Sequence, residues 1–396
     1  VFIIKKELLF VINNLNCGGA EKALISLLET IDYSRFNVDL FLFKHEGLFF
    51  SKIPKDVTLL KEPVGYKYYD MSIKKATTEC LKTGKLKTIY NRIHAGFIFK
   101  KEKNKAKCEQ KVWKLISKSI NKLEKEYDIA IGYLEKNPIY FCVDKVNAKK
   151  KIGFIHNDYD KLGMDPKKDY YYFTKLDFLV TVSEECAKVL RERFPQFSYK
   201  VSVMNNIISS RIVNKMALAK IDQLNSKINI VTVGRLNYQK GYEMAIKACK
   251  YLVEEGYEFV WYVIGEGTER PKLQKLIVDN ELSESFVLLG IKENPYPYIK
   301  QADLYVQTSR FEGKSIAIDE AKILNKPIVV TNFTTAKDQI NHNENGIIVN
   351  MNSLSIAKGI KTLIDNEELR LKLSKNLSKE KLGNEFEINK LYEMIT

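Results

Sequence analysis

No run of this chain approaches the ~20 consecutive apolar residues that a membrane-spanning helix needs, although 45% of its 396 residues are hydrophobic. The apolar stretch Leu8 to Ile12 is too short for a signal-peptide core and leads into a glycine loop, so it reads as a first strand. Cysteine is sparse, and the six residues at 17, 80, 108, 142, 186 and 249 show neither close pairing nor metal-ligand spacing. That argues against a disulfide framework or a zinc module and favours reduced thiols in a cytoplasmic protein. Histidine is rarer still, with four in all. Acidic residues are the minority charge, 49 against 64 Lys and Arg, for a net +15.

Most of the positive excess is local: residues 67–125 hold 17 Lys or Arg against 5 Asp or Glu. Tyr66, Tyr68, Tyr69, Phe97, Phe99 and Trp113 accompany it. Basic and aromatic groups together suit an anionic membrane surface or a diphosphate-bearing, lipid-linked acceptor. A solvated lysine-rich helical surface is the plain alternative. No recognisable nucleic-acid module accompanies the charge, so no specific nucleic acid is expected.

Short apolar runs alternate with amphipathic helical stretches along both halves, the pattern of parallel α/β sheets. Strands are expected at Leu8 to Ile12, Val38 to Phe43, Ile129 to Tyr133, Lys151 to Ile155 and Phe178 to Val182. In the second half they fall at Ile228 to Val233, Phe259 to Ile264, Phe286 to Leu289, Leu304 to Gln307 and Pro327 to Thr331. Two domains follow, residues 1–206 and 207–384, joined within the polar stretch between Asn206 and Asn225, with a final helical segment at 385–396.

Three strand-turn units of the second half carry the chemistry. After the 228–233 strand, Gly234-Arg235-Leu236-Asn237-Tyr238-Gln239-Lys240-Gly241 precedes a helix with Ala245, Ile246, Ala248, Cys249 and Leu252 on one face. Arg235 and Lys240 thereby flank a helix N-terminus, where unpaired amides already attract phosphate, and two cations complete a diphosphate clamp. Gly265-Glu266-Gly267-Thr268-Glu269-Arg270 follows the next strand. Its glycine pair permits close backbone approach, but the third glycine of a dinucleotide fingerprint is missing. Finally Glu312 and Glu320, eight positions apart after the 303–308 run, place one carboxylate in a glycine turn and one on the following helix. Both can face a crevice at the carboxyl edge of a parallel sheet.

The order GRLxxxKG, GEGxxR, then E-x7-E before Pro-Ile-Val-Val resembles the retaining glycosyltransferases of family 4. Asn16-Cys17-Gly18-Gly19-Ala20-Glu21 is similar to the family's glycine-rich first loop, and Ile155-His156-Asn157-Asp158 to its histidine segment. Val182-Ser183-Glu184 and Met204-Asn205-Asn206 also fit. The resemblance implies the GT-B fold, two Rossmann-like domains facing a central cleft, with acceptor bound by the first domain and nucleotide-sugar by the second. It implies that Glu320 takes the donor ribose and Glu312 the transferred sugar. His156 would lie at the reaction centre, and the final helix would cross back to the first domain. Gly18, Gly19, Gly234, Gly265, Gly267, Gly313, Lys314, Ser315 and Ile316 would complete the donor site, with Cys17 a lesser candidate for lining it. No metal and no cofactor beyond the donor substrate is expected, because Arg235 and Lys240 stabilise the leaving diphosphate. Asp158-Tyr159-Asp160 has a DxD form but reads as loop chemistry.

Two departures stand out. Lys314 and Ser315 replace the usual apolar residue and proline after Glu-Gly. Asn332 to Asp338 replaces a glycine pair and glutamate, leaving sugar recognition there open. The expected activity is retaining transfer from a nucleotide-sugar, a UDP-sugar by preference, to a saccharide or lipid-linked oligosaccharide acceptor in surface polysaccharide synthesis. The expected location is the cytoplasmic face of the membrane, with peripheral attachment. A nucleotide-sugar epimerase or hydrolase of the same fold, or a nonenzymatic binder of anionic polymers, is the alternative.

Overall fold

The computed structural model describes residues 5–16, 18–222, 224, 227–312 and 314–395. Cys17, Asn225 and Gly313 lie outside the described residues. The chain divides into two compact units, the first made of Val1–Ile207 with Glu385–Thr396 and the second of Ile208–Asn384.

The first unit is built on β1 (Lys6–Ile12), β2 (Phe36–Leu42), β3 (Val57–Leu59), β4 (Glu126–Gly132), β5 (Asn147–Ile155), β6 (Phe178–Thr181) and β7 (Val201–Val203). These form one seven-stranded sheet in the order β3-β2-β1-β4-β5-β6-β7. Every recorded pairing is parallel. The strands are apolar on both faces because both are covered. Leu9 and Val11 of β1 enter one core with Phe41, Trp113 and Phe141, while Leu8, Phe10 and Ile12 enter the other with Leu24, Leu28 and Leu40. The helix Ile388–Ile395 belongs to that second core: Tyr392 stacks on Phe36 at 5.3 Å, and Lys6 Nζ donates to the Ile395 carbonyl at 2.8 Å. The basic segment forms the helices Ile73–Lys82, Leu86–Lys101 and Lys105–Ile116 between β3 and β4.

The second unit holds β8 (Asn229–Val233), β9 (Val260–Ile264), β10 (Phe286–Gly290), β11 (Leu304–Gln307), β12 (Ile328–Thr331) and β13 (Ile347–Val349). Their order is β10-β9-β8-β11-β12-β13, again all parallel. The helix Tyr242–Glu254 buries Ala245, Ile246, Ala248, Cys249 and Leu252 against this sheet's core. In each sheet the strand order reverses once, between β1 and β4 and between β8 and β11. Doubly wound sheets bind ligands at such a point, outside the carboxyl ends of the strands.

All ten strands expected from apolar runs are present, with ends shifted by up to four residues. The largest shift is at β5, which starts at Asn147 because Asn147 and Ala148 pair with Glu126 and Tyr127 of β4 while the lysine side chains turn to outside partners. β3, β7 and β13 fall outside the expected set. They are three residues long, too short to show a period. Among the described residues no helix is long and apolar enough to cross a membrane.

Candidate active site

At the switch point of the second unit, the loops leaving β8 and β11 are stitched together. The Arg310 amide donates to the Gln239 carbonyl at 2.7 Å, and Thr308 Oγ1 donates to the Lys240 carbonyl at 2.9 Å. The Arg310 guanidinium pairs with Glu243, donates to the Tyr238 carbonyl at 2.7 Å and lies 4.0 Å over the Tyr238 ring. These contacts bring Lys240 Nζ to 2.6 Å from Glu312 Oε1, with both side chains mostly buried. The same oxygen accepts from Ser309 Oγ at 2.6 Å and Gln307 Nε2 at 3.0 Å, while Oε2 accepts from Gln239 Nε2 at 3.2 Å. Oε1 is therefore saturated, whereas Oε2 retains capacity for another donor. Arg235, in the β8 loop, is exposed, and among the described residues its side chain makes no recorded hydrogen bond or ion pair.

Glu320 sits in the helix Ile316–Ile323, fully buried, and accepts from Tyr296 Oη at 3.0 Å. It shares a neighbourhood with Glu312: burial pushes the Tyr305 phenol up, and both carboxylates add to that shift. Burial likewise raises Tyr242, with Glu312 adding, and its hydroxyl donates to the Gly234 carbonyl at 3.0 Å. The cationic loop and the acidic loop thus converge on one edge of one sheet.

The glycines of these loops also meet the protein's own backbone. A Cβ on Gly265, whose φ is +149°, would collide with the Gly234 carbonyl, and one on Gly267 with the Leu236 backbone. Here the β9 loop lies directly on the β8 loop, with Gly234 N–H donating to Ile264 and Leu236 N–H to Glu266, each at 3.0 Å. Gly265 and Gly267 therefore support the Arg235 loop through backbone contact. Gly234 leaves room for Lys240, whose Cε would lie 3.1 Å from a Cβ there. Ser315 is also committed within the protein. Its amide donates to Gln339 Oε1 at 2.9 Å and its hydroxyl to Gln307 Oε1 at 3.0 Å, so this amide is not free for a sugar. Lys314 is exposed with Nζ 3.8 Å from Asp319, and Ile316 opens the helix. Gly313 is outside the described residues.

At the carboxyl edge of the first unit, His156 follows β5. Its amide and Asn157 Nδ2 donate to the buried Glu135 carboxylate at 3.2 and 3.0 Å. The ring lies 4.8 Å from that of Tyr133 and 5.9 Å from that of Phe154. Both ring nitrogens are buried, near the Tyr133 backbone and the Asn206 side chain but without full hydrogen-bond geometry. Burial pushes the imidazole down to about 4 against the opposing pull of Glu135, so it is neutral near pH 7. Gly18 and Gly19 begin the helix Gly19–Thr30, but the Glu21 carboxylate fills the space beside Gly18. A phosphate there would meet like charge, which argues against this loop as a donor phosphate site. Asp158 caps the helix Tyr159–Leu162, and Asp160 accepts two 2.9 Å hydrogen bonds from Arg193, so both carboxylates of the DxD form have partners in the fold.

Sequence reading missed Glu135, Tyr296, Gln307, Ser309 and Gln339. Glu135 had a findable signal, an acid just past an apolar strand end, as at Glu312. Tyr296 and Gln339 had none, since each meets its partner 24 positions away through tertiary packing.

Residues 217–380 match the family described as glycosyl transferases group 1. One relative is the Campylobacter jejuni N-acetylgalactosamine-N,N'-diacetylbacillosaminyl-diphospho-undecaprenol 4-alpha-N-acetylgalactosaminyltransferase, 29% identical over 209 residues, 52% of this chain and 56% of that protein. The matched stretches span about half the length of such curated relatives. Among solved structures, Anabaena HepE in complex with UDP and glucose superposes with TM-score 0.64 at 15% identity, covering 98% of each chain. Staphylococcus aureus TarM, crystallised with UDP, also gives 0.64 at 15% identity, over 99% of this chain and 100% of that one. The protein has the GT-B fold, and the stretch that matches the group 1 glycosyl transferases lies within its second unit.

Proposed function

We propose that this protein transfers a sugar from a nucleotide-sugar, a UDP-sugar, to a saccharide or lipid-linked oligosaccharide acceptor of surface polysaccharide synthesis, with retention at the anomeric carbon. The observation that carries this reading is the Lys240–Glu312 contact of 2.6 Å at the switch point of the second sheet. Lys240 is held ready on the loop that also carries the exposed Arg235, and the two stabilise the charge that builds on a departing diphosphate without a metal ion. When Lys240 turns to phosphate, Ser309, Gln307 and Gln239 still fix Glu312. Its Oε2 then addresses a sugar hydroxyl and the positive character of the anomeric carbon. Glu320, oriented by Tyr296, takes the ribose hydroxyls. The acceptor attacks from the face the diphosphate leaves, and the diphosphate takes its proton. Neutral His156 contributes contact and hydrogen bonding to the sugar rather than proton transfer. UDP in the HepE and TarM complexes and the lipid-linked substrate named for the Campylobacter relative support the donor and acceptor classes. Attachment at the cytoplasmic face of the membrane completes the reading.

The test is product analysis. Purified protein, given a panel of nucleotide-sugars and lipid-linked acceptors, should release UDP in step with formation of an α-retained glycoside. Free epimerised sugar, or UDP release that ignores acceptor, would replace this reading with an epimerase or hydrolase.

A further inference from the structure

The helix Leu86–Lys101 packs Ile89 and Ile98 partly against the cores but leaves most of its large apolar side chains outside. Its buried residues are Thr88, Asn91, Arg92 and Ala95. Leu86, Tyr90, Ile93 and Phe97 stand 65%, 64%, 39% and 66% exposed. Their spacings of four, three and four place them on one stripe of the helix. The exposed Ile73 and Leu81 of the preceding helix extend the apolar surface, with the Ile73 methyl against Gly96. Rotation of the stripe into the core is opposed by Arg92, whose Nε donates to the Tyr68 carbonyl at 2.8 Å and Nη2 to the Met71 carbonyl at 2.6 Å. On the same two helices Lys74, Lys75, Lys82, Lys87, Lys100 and Lys101 are exposed and, among the described residues, make no ion pair.

We infer that this face docks on an anionic lipid bilayer, the stripe entering the acyl boundary and the lysines meeting headgroups. The charge decides the occupant. A two-fold contact between copies would set these lysines against one another, and a polyanion without an apolar phase would leave Leu86, Ile93 and Phe97 in water. A bilayer satisfies both halves of the surface. The docking face connects to the site in the same unit. Asn104, just past the helix, packs on Gly163, and Gln110 donates to Asp169 at 2.8 Å and accepts the Asp165 amide at 2.8 Å. Those residues lie on the segment that follows His156. A lipid-linked acceptor in that bilayer is thus presented beside the carboxyl edge of the first sheet, a consequence that rests on the transfer reading above.

The test is co-sedimentation with vesicles of phosphatidylcholine alone or with ~30% phosphatidylglycerol. Wild type should pellet with the anionic vesicles only. Ile93→Ser/Phe97→Ser should weaken that binding by about tenfold or more, and Lys100→Gln/Lys101→Gln should weaken it while flattening its salt dependence. Thermal midpoints of these variants, and UDP binding in solution, should match wild type. Vesicle binding that survives both substitutions, or wild type that ignores anionic vesicles, overturns the inference. So does a dimer in gel filtration that Ile93→Ser/Phe97→Ser dissolves, since the face would then be a contact between copies. Loss of UDP binding with vesicle binding intact would instead count against the transfer reading alone.

Discussion

The two sheets share a strand order, yet their carboxyl edges are furnished in opposite ways. In the second unit Glu312 accepts from four donors, one of them the ammonium of Lys240. In the first, the imidazole of His156 is held by Tyr133 and Phe154, with its nitrogens buried and only poorly served. A carboxylate so bound is fixed in place, and the cation it holds is available to an incoming anion. An imidazole so buried stays neutral, which suits contact with an uncharged sugar. Similar scaffolds thus carry an ion-paired, hydrogen-bonded edge in one unit and a neutral edge packed on aromatic rings in the other.

Substitution at the charged edge should have the largest effect. Lys240→Ala, and separately Arg235→Ala, should lower turnover on the order of a hundredfold, the scale of losing one preorganised donor to transition-state charge. Steady-state rates near wild type would remove the residue from the chemistry and erase the contrast between the edges. Glu320→Ala should act on binding instead, weakening nucleotide affinity by about tenfold, with Tyr296→Phe giving a smaller loss of the same sign. Unchanged affinity by calorimetry would refute the ribose role.

The smallest effects are pH-dependent and belong to the first unit. His156 is pushed from 6.5 to about 4, so the unfolded chain binds its proton first, and its contribution to stability is lost as pH falls from about 6.5 towards 4. Asp169, buried among Tyr140, Tyr159 and Gln110, is raised by that burial from 3.8 to about 6. Its contribution runs the other way and is lost as pH rises from about 4 to 6. The chain has two tryptophans, and Trp113 lies in the first unit while Trp261 lies in the second. A Trp261→Phe background therefore leaves a fluorescence reporter of first-unit unfolding. There the stability advantage of wild type over His156→Phe should shrink on acidification, and that over Asp169→Asn should shrink on raising the pH. Parallel slopes would show that neither group titrates as its surroundings require.

The fold was largely legible because buried parallel strands such as Leu8 to Ile12 and Leu304 to Gln307 stand out as apolar runs, and the loops of the second half carry charge. Convergence of Lys240 and Glu312 was readable from their places after strands that pair in the second sheet. Their supporting groups were not, since a glutamine such as Gln339 has no signal until packing brings it to the Ser315 amide. The roles of Gly265 and Gly267 were hidden for a related reason, as a glycine marks close approach without saying to what. The outward stripe of Leu86, Tyr90, Ile93 and Phe97 shows a further limit: an apolar period identifies a face but cannot say whether that face is buried.

Calorimetric titration of UDP and UMP into wild type and Lys240→Ala addresses the charged edge most directly. Wild type should bind UDP more tightly than UMP, because the second phosphate reaches Lys240, and Lys240→Ala should lose most of that difference while UMP affinity stays the same. A variant that keeps the full preference for UDP would show that Lys240 and Glu312 do not surround the diphosphate.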